Sequence, residues 1–185
     1  MLFDHLPWRV KTRIVRMIFA KQGVVLVDTP RVEGFLPSVK NDGEFIIGRS
    51  SFFRTYRVRQ SITIREGVKL HIGDNAFIND GVDICANIGI TIGDHVKIAP
   101  MVAIYDSNYH KISPSEPVKG SHITIGNNVW IGVNAVILPG ATIGDHSVIA
   151  AGSVVTGPIP SGVIAGGCPA KIIKEFEVAS GWIRD

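Results

Sequence analysis

The sequence predicts an all-β solenoid, a chain of short strands wound into a coil, and three observations predict it. Aliphatic residues recur at every sixth position: Ile72, Ile78 and Ile84, then Ile92, Ile98 and Ile104, then Ile125, Ile131, Ile137, Ile143, Ile149 and Val155. Four positions after most of these sits a small or β-branched residue, as at Ala76, Val82, Val96, Val102, Val129, Ala135, Ala141, Ser147 and Ser153. Glycine and a turn-forming residue often follow the aliphatic one, in Ile72-Gly73-Asp74, Ile92-Gly93-Asp94, Ile125-Gly126-Asn127 and Ile143-Gly144-Asp145. A helix would need spacings of three and four. Six-residue units with corner residues suit short strands that bend and continue.

If three units make one turn, Thr91-Ile92-Gly93, Thr124-Ile125-Gly126 and Thr142-Ile143-Gly144 stack on one face. Layers of a parallel ladder lie about 4.8 Å apart, so like residues stand above like. The aliphatic residues then fill a narrow interior, and the coil needs a cap at each end.

The elements follow in chain order. Residues 1–61 are expected to form an N-terminal helix and an irregular cap region. LPWRVKTRIVRMIFAK reads as a basic amphipathic helix with Val10, Ile14, Met17 and Ile18 near one face. Such a helix either caps the coil or packs on a neighbouring subunit, or else makes peripheral contact with an anionic membrane surface. A second basic cluster, Arg49, Arg54, Arg57, Arg59 and Arg65, falls in a stretch without visible period, facing anionic sugar or nucleotide groups or solvent. Residues 62–168 carry the repeat. Its beat slips by two residues between Ile84 and Ile92. Between Ile104 and Ile125 it is lost altogether, and Pro114, Pro117 and Gly120 require the excess to leave the coil as a loop over 106–122. Residues 169–185 read as a helical segment begun at Pro169.

Composition sets the bounds. A chain of 185 residues, 45% of them hydrophobic, makes one domain with a sizeable core. No run of about eighteen apolar residues can span a bilayer. The N-terminus shows no apolar leader with a small-residue cleavage site. Cys85 and Cys168 have neither disulfide nor metal spacing. A cytoplasmic location, at or near the inner face of the membrane, is the expectation. The net charge of +3 is concentrated in the first third, and no nucleic-acid partner is expected.

TIGNNVWIGVNAVILPGATIGDHSVIAAGSVVTGPIPSGVIAGGCPAKIIK, within a match running roughly from 62 to 175, resembles the hexapeptide-repeat acyltransferases, in their galactoside and maltose O-acetyltransferase branch. The resemblance implies a left-handed parallel β-helix, a hand that the spacing itself does not show. It also implies a homotrimer with each active site shared by two chains, acetyl-coenzyme A as acyl donor, a sugar or glycan acceptor, and no metal.

Moving an acyl group from a thioester to a hydroxyl needs a base that works near neutral pH, and histidine supplies one. Of the six histidines, His95 and His146 occupy equivalent corner positions, His5 and His71 lie outside or at the start of the repeat, and His122 stands at the loop's exit. His110, after YDSNY in the loop, matches the family's catalytic histidine. Asp106 is a candidate to orient its imidazole, as is a backbone carbonyl. The resemblance assigns the oxyanion donor to the backbone amide of Val133. Trp130 matches a tryptophan at the groove between subunits, and would serve equally as a trimer contact. Gly132, Ala151 and Gly152 are small enough for a pantetheine arm to approach. Lys171 and Lys174 stand where relatives carry phosphate contacts, if they are not simply solvated. On the acceptor side Asn79 matches a sugar-contacting asparagine, while Asn87 replaces an aspartate and Asp83 is a candidate to compensate for it.

Two departures qualify the match. Thr156-Gly157-Pro158-Ile159-Pro160 lacks a lysine common in relatives. The amide at Asn87 turns an acceptor-only group into a mixed one, which argues against the simplest galactoside or maltose acceptors. The reading is a coenzyme A-dependent O-acetyltransferase acting on a sugar of a surface polysaccharide or its precursor. The alternatives are N-acetylation of a nucleotide-linked amino sugar, zinc-dependent hydration, which needs three convergent histidines, and a non-catalytic scaffold.

Overall fold

The computed structural model describes residues 6–185. The chain winds as a parallel β-solenoid of about six turns with three flat faces. Face A stacks Val24–Leu26, Glu44–Ile47, Lys69–Ile72, Ile90–Ile92, Ile123–Ile125, Thr142–Ile143 and Pro158–Ile159. Face B stacks Arg31–Gly34, Phe52–Thr55, Phe77–Ile78, Lys97–Ile98, Trp130–Ile131, Val148–Ile149 and Val163–Gly167. Face C stacks Ser38–Asn41, Ser61–Ile64, Asp83–Ala86, Ala103–Tyr105, Val136–Ile137 and Val154–Val155. The chain visits A, B and C in turn, so each circuit makes an A–B, a B–C and a C–A corner. Thr91 does stand between His71 and Thr124, with Thr142 above. The aliphatic sixth residues and the small residues four positions on both point inward and are buried, including Ser147 and Ser153.

The Gly-Asp and Gly-Asn pairs have a mechanical reason. Along the A–B edge each Asx side chain accepts the backbone N–H one turn below: Arg49 N–H to Asp74, Asp74 N–H to Asp94, Asp94 N–H to Asn127 and Asn127 N–H to Asp145, at 2.6 to 2.8 Å. The preceding glycine must lie directly over that junction. A Cβ on Gly93 would come 2.6 Å from Asn127 Oδ1 and 2.8 Å from the Gly126 carbonyl carbon. The edge is therefore a continuous ladder in which these four corner amides are each satisfied by the side chain of the next turn.

Three expectations are corrected. The coil begins at Val24, so residues 31–60 are not an irregular cap. Its early turns escape the six-residue count because their corners carry insertions: Phe53 and Ile62 are nine apart, and Ile62 and Ile72 ten. Second, residues 169–175 are not helical. Ala170–Glu175 runs antiparallel to Val163–Gly167 and covers the last open strand edge of face B. Third, the stripe on the helix Trp8–Lys21 is rotated from the expected one. Val15 and Phe19 are buried, with the Phe19 ring 6.1 Å from Phe53, while Val10 and Met17 face outward. The helix thus plugs the first turns of the coil. No helix among the described residues is long and apolar enough to cross a membrane.

Candidate active site

Two edges flanking face C carry the candidate residues. On the B–C edge, successive corners are Tyr56–Gln60, Asn79–Val82, Ala99–Val102, Gly132–Ala135 and Ala150–Ser153, so Asn79, Gly132, Val133, Ala151 and Gly152 stack in one column, with Trp130 just before it on face B. A Cβ on Gly132 would stand 2.6 Å from the Ala151 nitrogen, which makes glycine obligatory where these corners touch, while Gly152 opens onto free space. The neighbours of Val133 spend their amides on the ladder: Gly132 N–H donates to Ile149 O at 2.8 Å and Asn134 N–H to Pro100 O at 3.1 Å. The Val133 N–H finds no acceptor among the described residues, at a corner whose side chain is exposed.

The other set lies across face C, at the C–A edge. The loop leaves after Tyr105, and its base is closed by a bridge between Ser107 and Gly120. His110 is exposed near the loop's start; its N–H donates to Asn108 O at 2.7 Å, and its ring has no partner among the described residues. The ring of His122 lies 3.1 Å from the Thr91 hydroxyl, and that of His146 is 2.8 Å from Asn128 Nδ2, so both are engaged. His5 lies outside the described residues.

Asp106 does not serve His110 here. Its carboxylate is buried and accepts the N–H groups of Asn87, Ile88 and Gly89, at 2.8, 2.9 and 2.7 Å. It therefore holds the two-residue insertion at 87–89 in place. Asn87 Nδ2 is buried beside it without a hydrogen-bond partner. Asp83 accepts the Tyr105 hydroxyl at 2.5 Å on the outer surface of face C. Burial and this donation hold the Tyr105 phenol above its ordinary range. Tyr109 stands edge-on to Tyr105, ring centres 6.2 Å apart, and burial beside Cys85 pushes its phenol up to about 12.

Lys171 and Lys174 are exposed on the terminal strand, opposite Gly166 and Ile164, rather than together on a helical face. Residues the sequence reading did not single out cover the neighbouring surface. Asn128, buried at the A–B edge, donates to Trp182 O at 3.0 Å and accepts the Arg184 N–H at 2.9 Å. This clasp brings the Arg184 guanidinium 4.7 Å from the Trp182 ring and 6.0 Å from the Trp130 ring. The WIRD stretch has no period or motif to announce it. Its one signal is a tryptophan two residues before an arginine beyond the last repeat. Among the described residues no three His, Cys, Asp or Glu side chains converge as a metal site.

A three-faced parallel coil interrupted by one long excursion defines the chain as a β-helix protein. The family model for the bacterial transferase hexapeptide (six repeats) matches residues 122–157. Galactoside O-acetyltransferase of Escherichia coli (strain K12) is 46% identical over 113 residues, 60% of this chain and 56% of that enzyme, so the chain spans little more than half its length. The putative lipopolysaccharide biosynthesis O-acetyl transferase WbbJ of the same strain is 35% identical over 158 residues, 79% of each chain. The crystal structure of the hexapeptide-repeat acetyltransferase VCA0836 of Vibrio cholerae O1 biovar eltor, complexed with acetyl-coenzyme A, matches with a TM-score of 0.58 and 34% identity, over 71% of this chain and 70% of that one. The chain belongs to the hexapeptide-repeat transferase family, and its coil is consistent with the left-handed β-helix that the resemblance implies.

Proposed function

We propose that the protein is an acetyl-coenzyme A-dependent O-acetyltransferase acting on a sugar of a surface polysaccharide or its precursor. The observation that carries the reading is the pairing of two unspent groups, the ring of His110 and the N–H of Val133, within one circuit of the coil. The donor thioester supplies the acyl group. His110 takes the proton of the acceptor hydroxyl as the oxygen attacks the thioester carbonyl, and returns it to the leaving thiolate. The Val133 N–H faces the carbonyl oxygen, where negative charge gathers. Gly132, Ala151 and Gly152 leave the B–C edge low enough for the donor's arm, with Trp130 as its wall and Lys171 and Lys174 near its phosphates.

His110 and Val133 sit at opposite margins of face C. A strand of three or four residues, about 10–13 Å at the usual rise, separates those margins. A site that uses both is therefore assembled from the C–A edge of one chain and the B–C edge of a second, which supports a closed homotrimer. Asn87 meets the acceptor from the His110 side, and Asp83 and Asn79 from the Val133 side. The outward helix surface, with Arg9, Arg13 and Arg16, suits contact with the anionic inner face of a membrane, where lipid-linked glycans are presented.

The test is His110→Ala assayed for acetyl transfer to glycan acceptors. The expected loss is about 10²- to 10⁴-fold in kcat with acetyl-coenzyme A binding retained. A variant within about tenfold of the parent removes His110 as the base.

A further inference from the structure

Below the Val133 corner, the B–C edge departs from the regular coil in a way the catalytic reading does not use. Between register partners the stretch from Phe53 to Gln60 holds three more residues than the one above it, since Phe53 and Gln60 are seven apart where Ile78 and Val82 are four. The extra chain forms a ledge. Two devices hold it. The buried Gln60 amide donates to the carbonyls of Arg54, Ile78 and Asn79 at 3.0 to 3.3 Å. The Asp80 carboxylate accepts the N–H groups of Tyr56 and Arg57 at 2.6 and 2.9 Å. A ledge pinned at both ends is a built feature and not a slack insertion.

Between the ledge and the corners above it lies an open pocket walled by Arg54, Tyr56, Arg57, Asn79, Asp80 and Met101. Gly81, at φ +63°, lets Met101 close the top: a Cβ there would stand 2.3 Å from the Met101 sulfur. The Arg54 guanidinium lies 5.0 Å from the Phe77 ring centre, and its Nε donates to Asn79 Oδ1 at 3.3 Å. Neither Arg54 nor Arg57 is in an ion pair among the described residues. The carboxylates at hand are already committed. Asp80 serves the ledge amides, and Glu33 is held by Arg31 and by the Tyr56 hydroxyl at 2.9 Å. Two arginines thus border one cavity without an ion pair of their own: Asp80 and Glu33 lie nearby, and Arg54 acts on Glu33 across space, but both carboxylates have their hydrogen bonds elsewhere, and a planar, permanently charged fork is suited to carboxylate or phosphate.

We propose that this pocket selects an anionic acceptor, a sugar carrying a carboxylate or phosphate that is held by Arg54 and Arg57. The proposal rests on the acetyl-transfer reading of the Val133 corner and names its substrate class. The ledge is three layers below that corner, about 14 Å at the spacing of a parallel ladder. The charge therefore lies about two or three sugar residues away from the hydroxyl that is acylated. Phosphate and carboxylate share this chemistry, and the experiment separates them.

Calorimetric binding is measured for two trisaccharides that differ only in one group, a terminal uronic acid against the corresponding hexose, and for the hexose phosphate of the same scaffold. At low salt an anionic member should bind at least tenfold more tightly than the neutral one. The uronate or the phosphate taking the preference identifies the source. Arg57→Gln and Arg54→Gln should each collapse the ratio towards one, as should raising the salt to about 0.5 M, where exposed charges are largely screened. Equal affinities for all three in the parent, or a preference unmoved by both substitutions, overturns the proposal. Because binding is scored apart from transfer, an anion preference without acetylation would fault the catalytic reading and leave this one standing.

Discussion

Removing the Asp106 carboxylate should cost the protein stability before it costs chemistry. In Asp106→Ala the N–H groups of Asn87, Ile88 and Gly89 lose their acceptor. A buried donor left unmade costs about 1–3 kcal/mol. The Ile88 side chain is about half exposed, so water can reach that amide, and the sum is set near the lower bound, at about 4 kcal/mol. For a chain of this size that corresponds to a fall in Tm of roughly 8–16 °C. Asp106→Asn keeps one accepting oxygen and turns a donor towards the remaining amides, so about half the loss is expected. Thermal and urea unfolding followed by circular dichroism measure both variants. If Asp106→Ala cost less than about 1 kcal/mol, the carboxylate would not be the staple described, given three amides at these distances. If Asp106→Asn left Tm unchanged and lowered kcat instead, the residue would be acting on the His110 ring after all.

Asn128 holds residues 182–184 through its side chain and adopts φ +56°, so glycine, and not alanine, is the clean replacement there. Asn128→Gly should release the Trp182–Arg184 clasp, seen as a red shift of tryptophan emission and faster proteolysis after Phe176; unchanged protease resistance would contradict the clasp. Tyr109 gives a pH prediction. Its phenol titrates near 10 unfolded and is pushed up to about 12 in the folded chain, mainly by burial, so its contribution is fully present below pH 10 and is lost as pH rises from 10 towards 12. Tyr109→Phe should flatten that part of the stability–pH curve, and an identical alkaline loss in the variant would assign it to other groups.

The regular part of this fold was legible because each layer repeats the same physical problem. From Ile72 onward a narrow interior accepts one aliphatic residue per face, so the count of six survives wherever corners keep their minimal length. The early turns were hidden because the same count is stretched by the Tyr56–Gln60 ledge and by the corner after Ile64. The terminal segment was misread because Lys171 and Lys174, spaced by three, suit a helix equally well in isolation. What decided it was an unpaired strand edge at Val163–Gly167, a tertiary fact. His110 was legible as the histidine placed on the excursion. Asp106 was visible as a nearby carboxylate, but its job was not, since the amides it serves lie seventeen to nineteen positions back along the chain. The Arg184–Trp182 cover on Trp130 left no periodic trace at all.

The three edges of the prism divide the labour for a physical reason. On the A–B edge each corner supplies the hydrogen-bond acceptor for the corner below, so an insertion there would break the ladder in two places, and from Arg49 to Asp145 none occurs. The B–C and C–A edges are not tied by such a side-chain chain, and all the departures fall on them: the Arg-bearing ledge, the 87–89 turn and the 106–122 loop. Each departure then needs its own clamp, and each of the first two has one, Gln60 with Asp80 for the ledge and Asp106 for the turn. Rigid layers on one edge thus make irregular chain affordable on the other two, and those two border face C, across which Asp83, Tyr105 and Tyr109 form a floor. On the proposed reading of the site, its imidazole and its free corner amide meet only where two chains meet, because no single prism can fold its own two margins together.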